Sequence, residues 1–86
     1  MNSLDIKVLG TGCPNCRRLE AITRQVVEEL QMPATIGLVK QIQDIVRYGV
    51  MATPALVVNG AVKGVGVLSK DRIVTILTTE LARLEA

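Results

Sequence analysis

The sequence predicts an α/β fold of order β-α-β-α-β-β-α, a mixed four-stranded sheet with helices on both faces. Three observations predict it: segments whose apolar residues alternate or run together, segments in which they recur every three or four positions, and Gly, Pro and Asn-Gly punctuation between the two kinds. At 86 residues the chain falls inside the usual single-domain range of roughly 50–200. One domain over residues 1–86 is expected.

Leu4-Asp5-Ile6-Lys7-Val8-Leu9 alternates as a strand does, and Gly10 and Gly12 break it. From Arg17 onward Leu19, Ile22, Val26 and Leu30 share one helical stripe, with Thr23 and Val27 beside it and Arg24, Glu28, Glu29 and Gln31 largely on the wet side. Pro33 marks the end of that helix. Ala34-Thr35-Ile36-Gly37-Leu38-Val39 reads as a second strand, and strand-helix-strand order implies a parallel pair joined by a right-handed crossover. Ile42, Ile45 and Val46 make a short helix over about residues 40–48, closed by Gly49. The run Ala55-Leu56-Val57-Val58, then Asn59-Gly60, then Ala61-Val62-Lys63-Gly64-Val65, is a hairpin signal, so these two strands are expected to be antiparallel neighbours. Ser69 is placed to cap a last helix in which Ile73, Ile76, Leu77, Leu81 and Leu84 share a face.

Composition narrows the function. The apolar content of 49% supports a core, and with Tyr48 the only aromatic that core must be aliphatic; disorder is excluded. A net charge of +2 with both signs interspersed gives no basic stripe, and one Tyr offers almost nothing for bases to stack on, so nucleic acid is not an expected partner. The N-terminus lacks a basic stretch followed by an apolar run, and no segment of about 18 uninterrupted apolar residues occurs. A soluble, cytoplasmic monomer with no membrane partner is the expectation. In a reducing cytosol two close cysteines are more often catalytic, redox-sensing or metal-binding than a structural staple, and so short a ring constrains little unfolded-state entropy.

The two cysteines carry the chemistry. Cys13 and Cys16 flank Pro14-Asn15 where the first strand runs into the first helix, which places both thiols in the first helical turn. Unpaired N–H groups and the positive end of the helix dipole favour a thiolate there, so a redox dithiol is the leading reading. Pro14 suits the first helical position and stiffens the loop. Arg17 and Arg18 oppose the dipole, at a cost of a few tenths to about 1 kcal/mol each. Two readings stand: they supply a positive field to the Cys13 sulfur, Arg17 being four residues on, or they simply point into water.

Three segments together resemble the thioredoxin superfamily: Gly12-Cys13-Pro14-Asn15-Cys16, Thr53-Pro54, and Asn59-Gly60 through Val65-Gly66-Val67-Leu68-Ser69-Lys70. The chain is similar to the small archaeal and bacterial thioredoxin-like or glutaredoxin-like redox proteins, and the resemblance covers almost all of it. It implies a thioredoxin-like fold, no cofactor and no metal. It implies that Cys13 attacks a substrate disulfide and Cys16 resolves the mixed disulfide, the oxidised form carrying a Cys13–Cys16 bond; the order agrees with Cys13 lying nearer the helix end. Pro54 matches the family's cis-proline, with the Thr53 backbone pairing an extended substrate; a strand-opening proline is the plainer alternative. Gly64 and Gly66 either let a substrate backbone approach or form a bend. The implied partners are a protein disulfide and an electron-donating reductase.

Departures from the family pattern matter as much. Lys7 stands where the family's buried carboxylate is expected, with Asp5 a poor substitute, so proton transfer through water is the default. Gly12 replaces the usual Trp, and Gly10 stands where glutaredoxins often place a lysine for glutathione, which makes a protein disulfide the better expected substrate. Two other classes remain. The Gly10–Cys16 loop also resembles the copper(I)-binding loop of heavy-metal-associated domains, although Thr11 stands where their Met is usual and their order ends in a strand. A non-catalytic interaction or redox-sensor domain is the other.

Overall fold

The computed structural model describes residues 3–85. Its elements are β1 (Leu4–Leu9), α1 (Pro14–Glu29), β2 (Ala34–Val39), α2 (Ile42–Arg47), β3 (Ala55–Val58), β4 (Ala61–Val65) and α3 (Lys70–Glu85), the order expected from the sequence. The strands form one sheet in the spatial order β2-β1-β3-β4. β1 and β2 are parallel, with Leu4 opposite Ala34 and Leu9 opposite Val39, while β3 runs antiparallel to both β1 and β4. The parallel pair follows from the α1 crossover, and the antiparallel pair from the two-residue turn, where Asn59 and Gly60 both take positive φ (52° and 84°). Asn59 also ties the turn to β1: its N–H donates to the Asp5 carbonyl at 2.7 Å, and its Oδ1 accepts from the Asp5 N–H at 2.9 Å.

Alternation along β1 divides the core in two. Leu4, Ile6 and Val8 meet Leu19 and Val26 of α1 and Ile73 and Leu77 of α3 on one face; Leu9 meets Ile45 of α2 on the other. β3 is central and buried on both faces, Leu56 and Val58 toward α1 and α3, Ala55 and Val57 toward α2, which is why it reads as an unbroken apolar run. Each such large side chain, fully buried, contributes about 1.5–3 kcal/mol.

Two local features differ from the expectation. The second helix spans Ile42–Arg47, shorter than residues 40–48, because Gln41 is its extended N-cap. Leu30 does not join the buried stripe of α1: it is the C-cap and is 47% exposed. The chain leaves the helix through Gln31 at φ 51°, with the Gln31 N–H donating to Glu28 O and the Met32 N–H to Val27 O, the paired bonds that close a helix and usually place glycine at the left-handed position. Gln31→Gly should therefore stabilise the fold by roughly 0.5–1 kcal/mol, the relief of the left-handed penalty outweighing glycine's entropy; a thermal melt checks this, and a lowered midpoint counts against it.

Glu80 lies one and two turns beyond Leu77 and Ile73 on the inward face of α3 and is 8% exposed. Arg83 Nε stands 3.7 Å from its Oε2, and the closer partner is Lys63, the residue made extra by the irregular register of β4, where Leu56 faces Gly64 and Val57 faces Val62. Lys63 Nζ approaches Glu80 Oε2 at 3.3 Å, so the bulge turns a lysine of the edge strand toward α3.

Candidate active site

The N-terminal end of α1 is built around a cysteine cap. Cys13 is the N-cap residue, in extended backbone at φ −65°, ψ 164°, and its Sγ accepts a hydrogen bond from the Cys16 N–H at 3.2 Å. A serine or aspartate oxygen usually satisfies that orphan donor; here a sulfur does. Pro14 fills the first helical position, where a missing N–H is harmless, and Arg17 N–H donates to the Cys13 carbonyl at 3.0 Å to begin the helical ladder. Cys13 and Cys16 are joined, their Cα atoms 5.0 Å apart, inside the roughly 4.4–6.8 Å span of disulfides. Cys16 is 5% exposed whereas Cys13 is only partly buried. On reduction, the same N–H and the positive helix end favour a thiolate on the accessible sulfur.

What lets Cys16 sit so deep is Gly10, whose role sequence reasoning missed. A Cβ on Gly10 would lie 2.9 Å from Cys16 Cβ, and closer still to its Sγ. Glycine is there for the space it leaves: the β1 end and the α1 entrance touch across it. The Gly10 N–H meanwhile donates to Val39 O at 2.9 Å and ties this loop to β2.

The other named residues gather at the same end of the sheet. With Leu9 opposite Ala55 in the register, Pro54 falls beside Gly10. The Thr53–Pro54 peptide bond is cis, Pro54 is buried and Thr53 is exposed. Gly66, at φ +92°, donates its N–H to the Pro54 carbonyl at 2.6 Å; that N–H is thus committed within the chain, and a glycine is needed for the positive φ. Gly64 is packed internally, since a Cβ there would meet Leu68 Cδ1 at 2.8 Å. Arg17 borders a small cavity beside Cys16, Arg18 is exposed, and the first turn of α1 carries no acidic residue.

Lys7 and Asp5 stand on the opposite sheet face from α1. They pair with each other at 2.9 Å, and the hydrogen bond and charge of Asp5 hold the Lys7 ammonium above its ordinary pKa. Neither serves the dithiol. The carboxylate that does border Cys16 is Glu20, which shares the small cavity with it. Its signal in the sequence was the i, i+4 spacing from Cys16. A broader depression of about 350 Å³ between β2 and α2, lined by Val39, Asp44, Arg47 and Tyr48, touches neither cysteine. Among the described residues no group of three or more His, Cys, Asp or Glu side chains is placed to hold a metal ion, and no helix is long and apolar enough to cross a membrane.

A four-stranded β2-β1-β3-β4 sheet with a dithiol capping the helix after its first strand, and a proline-led strand beside it, defines a thioredoxin-like redox protein. Comparison with known proteins agrees. The thioredoxin domain family matches residues 4–78. A thioredoxin of Methanothermobacter thermautotrophicus is 40% identical over 76 residues, covering 87% of this chain and 99% of that one; a thioredoxin of Methanocaldococcus jannaschii is 28% identical over 72 residues, covering 80% and 85%. The chain belongs to the thioredoxin family, and its chemistry is thiol–disulfide oxidoreduction.

Proposed function

We propose that the protein, acting as one unit over residues 1–86, reduces disulfide bonds in other proteins in the cytoplasm and is itself re-reduced by an electron-donating reductase. The observation that carries this is the asymmetry of the dithiol: an accessible Cys13 at the helix cap and a buried Cys16 behind it. The Cys13 thiolate attacks a substrate disulfide; one substrate sulfur leaves as a thiol and the other stays bonded to Cys13. Cys16 then attacks Cys13, its proton is lost, and the second substrate thiol departs. Two electrons pass from the dithiol to the substrate, and the product is the Cys13–Cys16 disulfide.

The surroundings support a protein substrate. Met51 is fully exposed three residues before Pro54, and Val65 and Val67 flank Gly66 with substantial exposure, so apolar side chains ring the dithiol end of the sheet although Gly12 offers none. Thr53, exposed beside buried Pro54, presents backbone to an extended chain. The element order, ending in α3, is that of the redox scaffold and not of the copper-binding one.

Turnover is tested by reduction of insulin with a chemical dithiol as electron source, and direction by the equilibrium potential against a glutathione or dithiothreitol buffer. A reductant lies toward about −270 mV; a value above about −150 mV overturns the reductase reading in favour of an oxidant or isomerase.

A further inference from the structure

We infer that Glu20 is the proton acceptor for Cys16 in the resolving step, a role that rests on the reductase function proposed above. Cys16 is 5% exposed, so bulk water has poor access to the thiol that must lose its proton. Glu20 lies one helical turn after Cys16, on the same face of α1. Both border a cavity of about 20 Å³, together with Arg17 and the backbone of Gly10 and Gly12. That volume is large enough for one water, which needs two to four polar partners; the Glu20 side chain and the backbone of Gly10 and Gly12 border it, the Gly10 N–H being committed to Val39. Arg24 Nε donates to Glu20 Oε2 at 2.8 Å, and a carboxylate held by one such bond keeps lone pairs free to accept a proton.

With Cys13 bonded to a substrate sulfur, the Cys16 proton passes to the Glu20 carboxylate directly or through one water. The Cys16 thiolate attacks Cys13 Sγ, the Cys13–substrate bond breaks, and the Cys13–Cys16 bond forms. The departing substrate thiolate takes up a proton, so Glu20 returns its own to solvent or to that product. The remaining cavity wall is Val8 of β1 and Leu38 of β2, which do not titrate; among the described residues Arg17 is the one other charged side chain lining it.

A single-turnover reaction with a disulfide whose two halves are released separately tests this. Glu20→Gln should leave the first release, governed by Cys13, near the wild-type rate and slow the second by roughly 10²-fold at neutral pH, the loss shrinking as pH rises and hydroxide takes over. Arg24→Gln removes the same ion pair but keeps the carboxylate, and its second release should stay within a few-fold of wild type. In a Cys13→Ser background, Glu20→Gln should lower the Cys16 thiol pKa by about one unit, because a neighbouring negative charge opposes the thiolate. A second release unaffected by Glu20→Gln, an Arg24→Gln protein as slow as Glu20→Gln, or an unmoved Cys16 titration overturns the role. If the wild type releases neither half, the reductase function fails first and this step with it, an outcome distinct from losing the second release alone.

Discussion

A Cys13→Ser protein reduces no disulfide above background, a loss of at least ~10³-fold, because a serine hydroxyl is not a nucleophile toward sulfur at neutral pH. Cys16→Ser fails differently. Its Cys13 sulfur remains at the helix cap, with the N–H of residue 16 still in place to donate, so it attacks once and stops at the mixed disulfide. Incubated with oxidised substrate and examined under non-reducing conditions, Cys16→Ser should gain the mass of one substrate molecule, and Cys13→Ser should gain nothing. The expected asymmetry follows from burial: Cys13 is partly exposed, whereas Cys16 is 5% exposed and lies behind it, bonded to Cys13. A Cys13→Ser protein that traps substrate reverses the two roles, and a Cys16→Ser protein that turns over at the wild-type rate removes the resolving step.

What the sequence shows plainly is what local rules govern. β3 reads as a strand because both its faces are covered, the turn at Asn59-Gly60 because both residues take positive φ, and the start of α3 because the Ser69 hydroxyl accepts from the Arg72 N–H at 3.2 Å. The cysteines read as a dithiol because the helix entrance is a local feature too. What stays hidden depends on contacts between distant segments. Nothing within α3 signals the burial of Glu80; it goes with a bulge in β4 that turns Lys63 inward, and register irregularities leave little trace in composition. Leu30 continues an apolar stripe that the structure ends one residue earlier. Gly10 reads as a strand breaker, whereas its lack of a side chain is demanded by a sulfur six residues away on another element.

That contact has a large consequence. Gly10→Ala introduces a methyl group into space held by Cys16, 2.9 Å from its Cβ and nearer its sulfur. The neighbour cannot swing aside: Cys16 is the third residue of α1, pinned by its N–H to Cys13 Sγ and by its bond to Cys13. The strain must move the helix entrance or the end of β1, and the latter is held by the Gly10–Val39 bond. Overpacking of this kind costs about 1–3 kcal/mol, which lowers the melting temperature of a domain this size by roughly 5–20 °C. It also displaces the Cys16 sulfur, and an error on the order of 1 Å at a reacting atom costs about 10²-fold in rate. Gly10→Val should do more of both. The cause is isolated by a double-mutant cycle: in a Cys16→Gly background, which removes both the sulfur and the Cβ, Gly10→Ala should destabilise by markedly less than in the wild type. Equal costs in the two backgrounds, or a Gly10→Ala protein with unchanged melting and full turnover, would mean that the loop yields freely and that Gly10 does not position the dithiol.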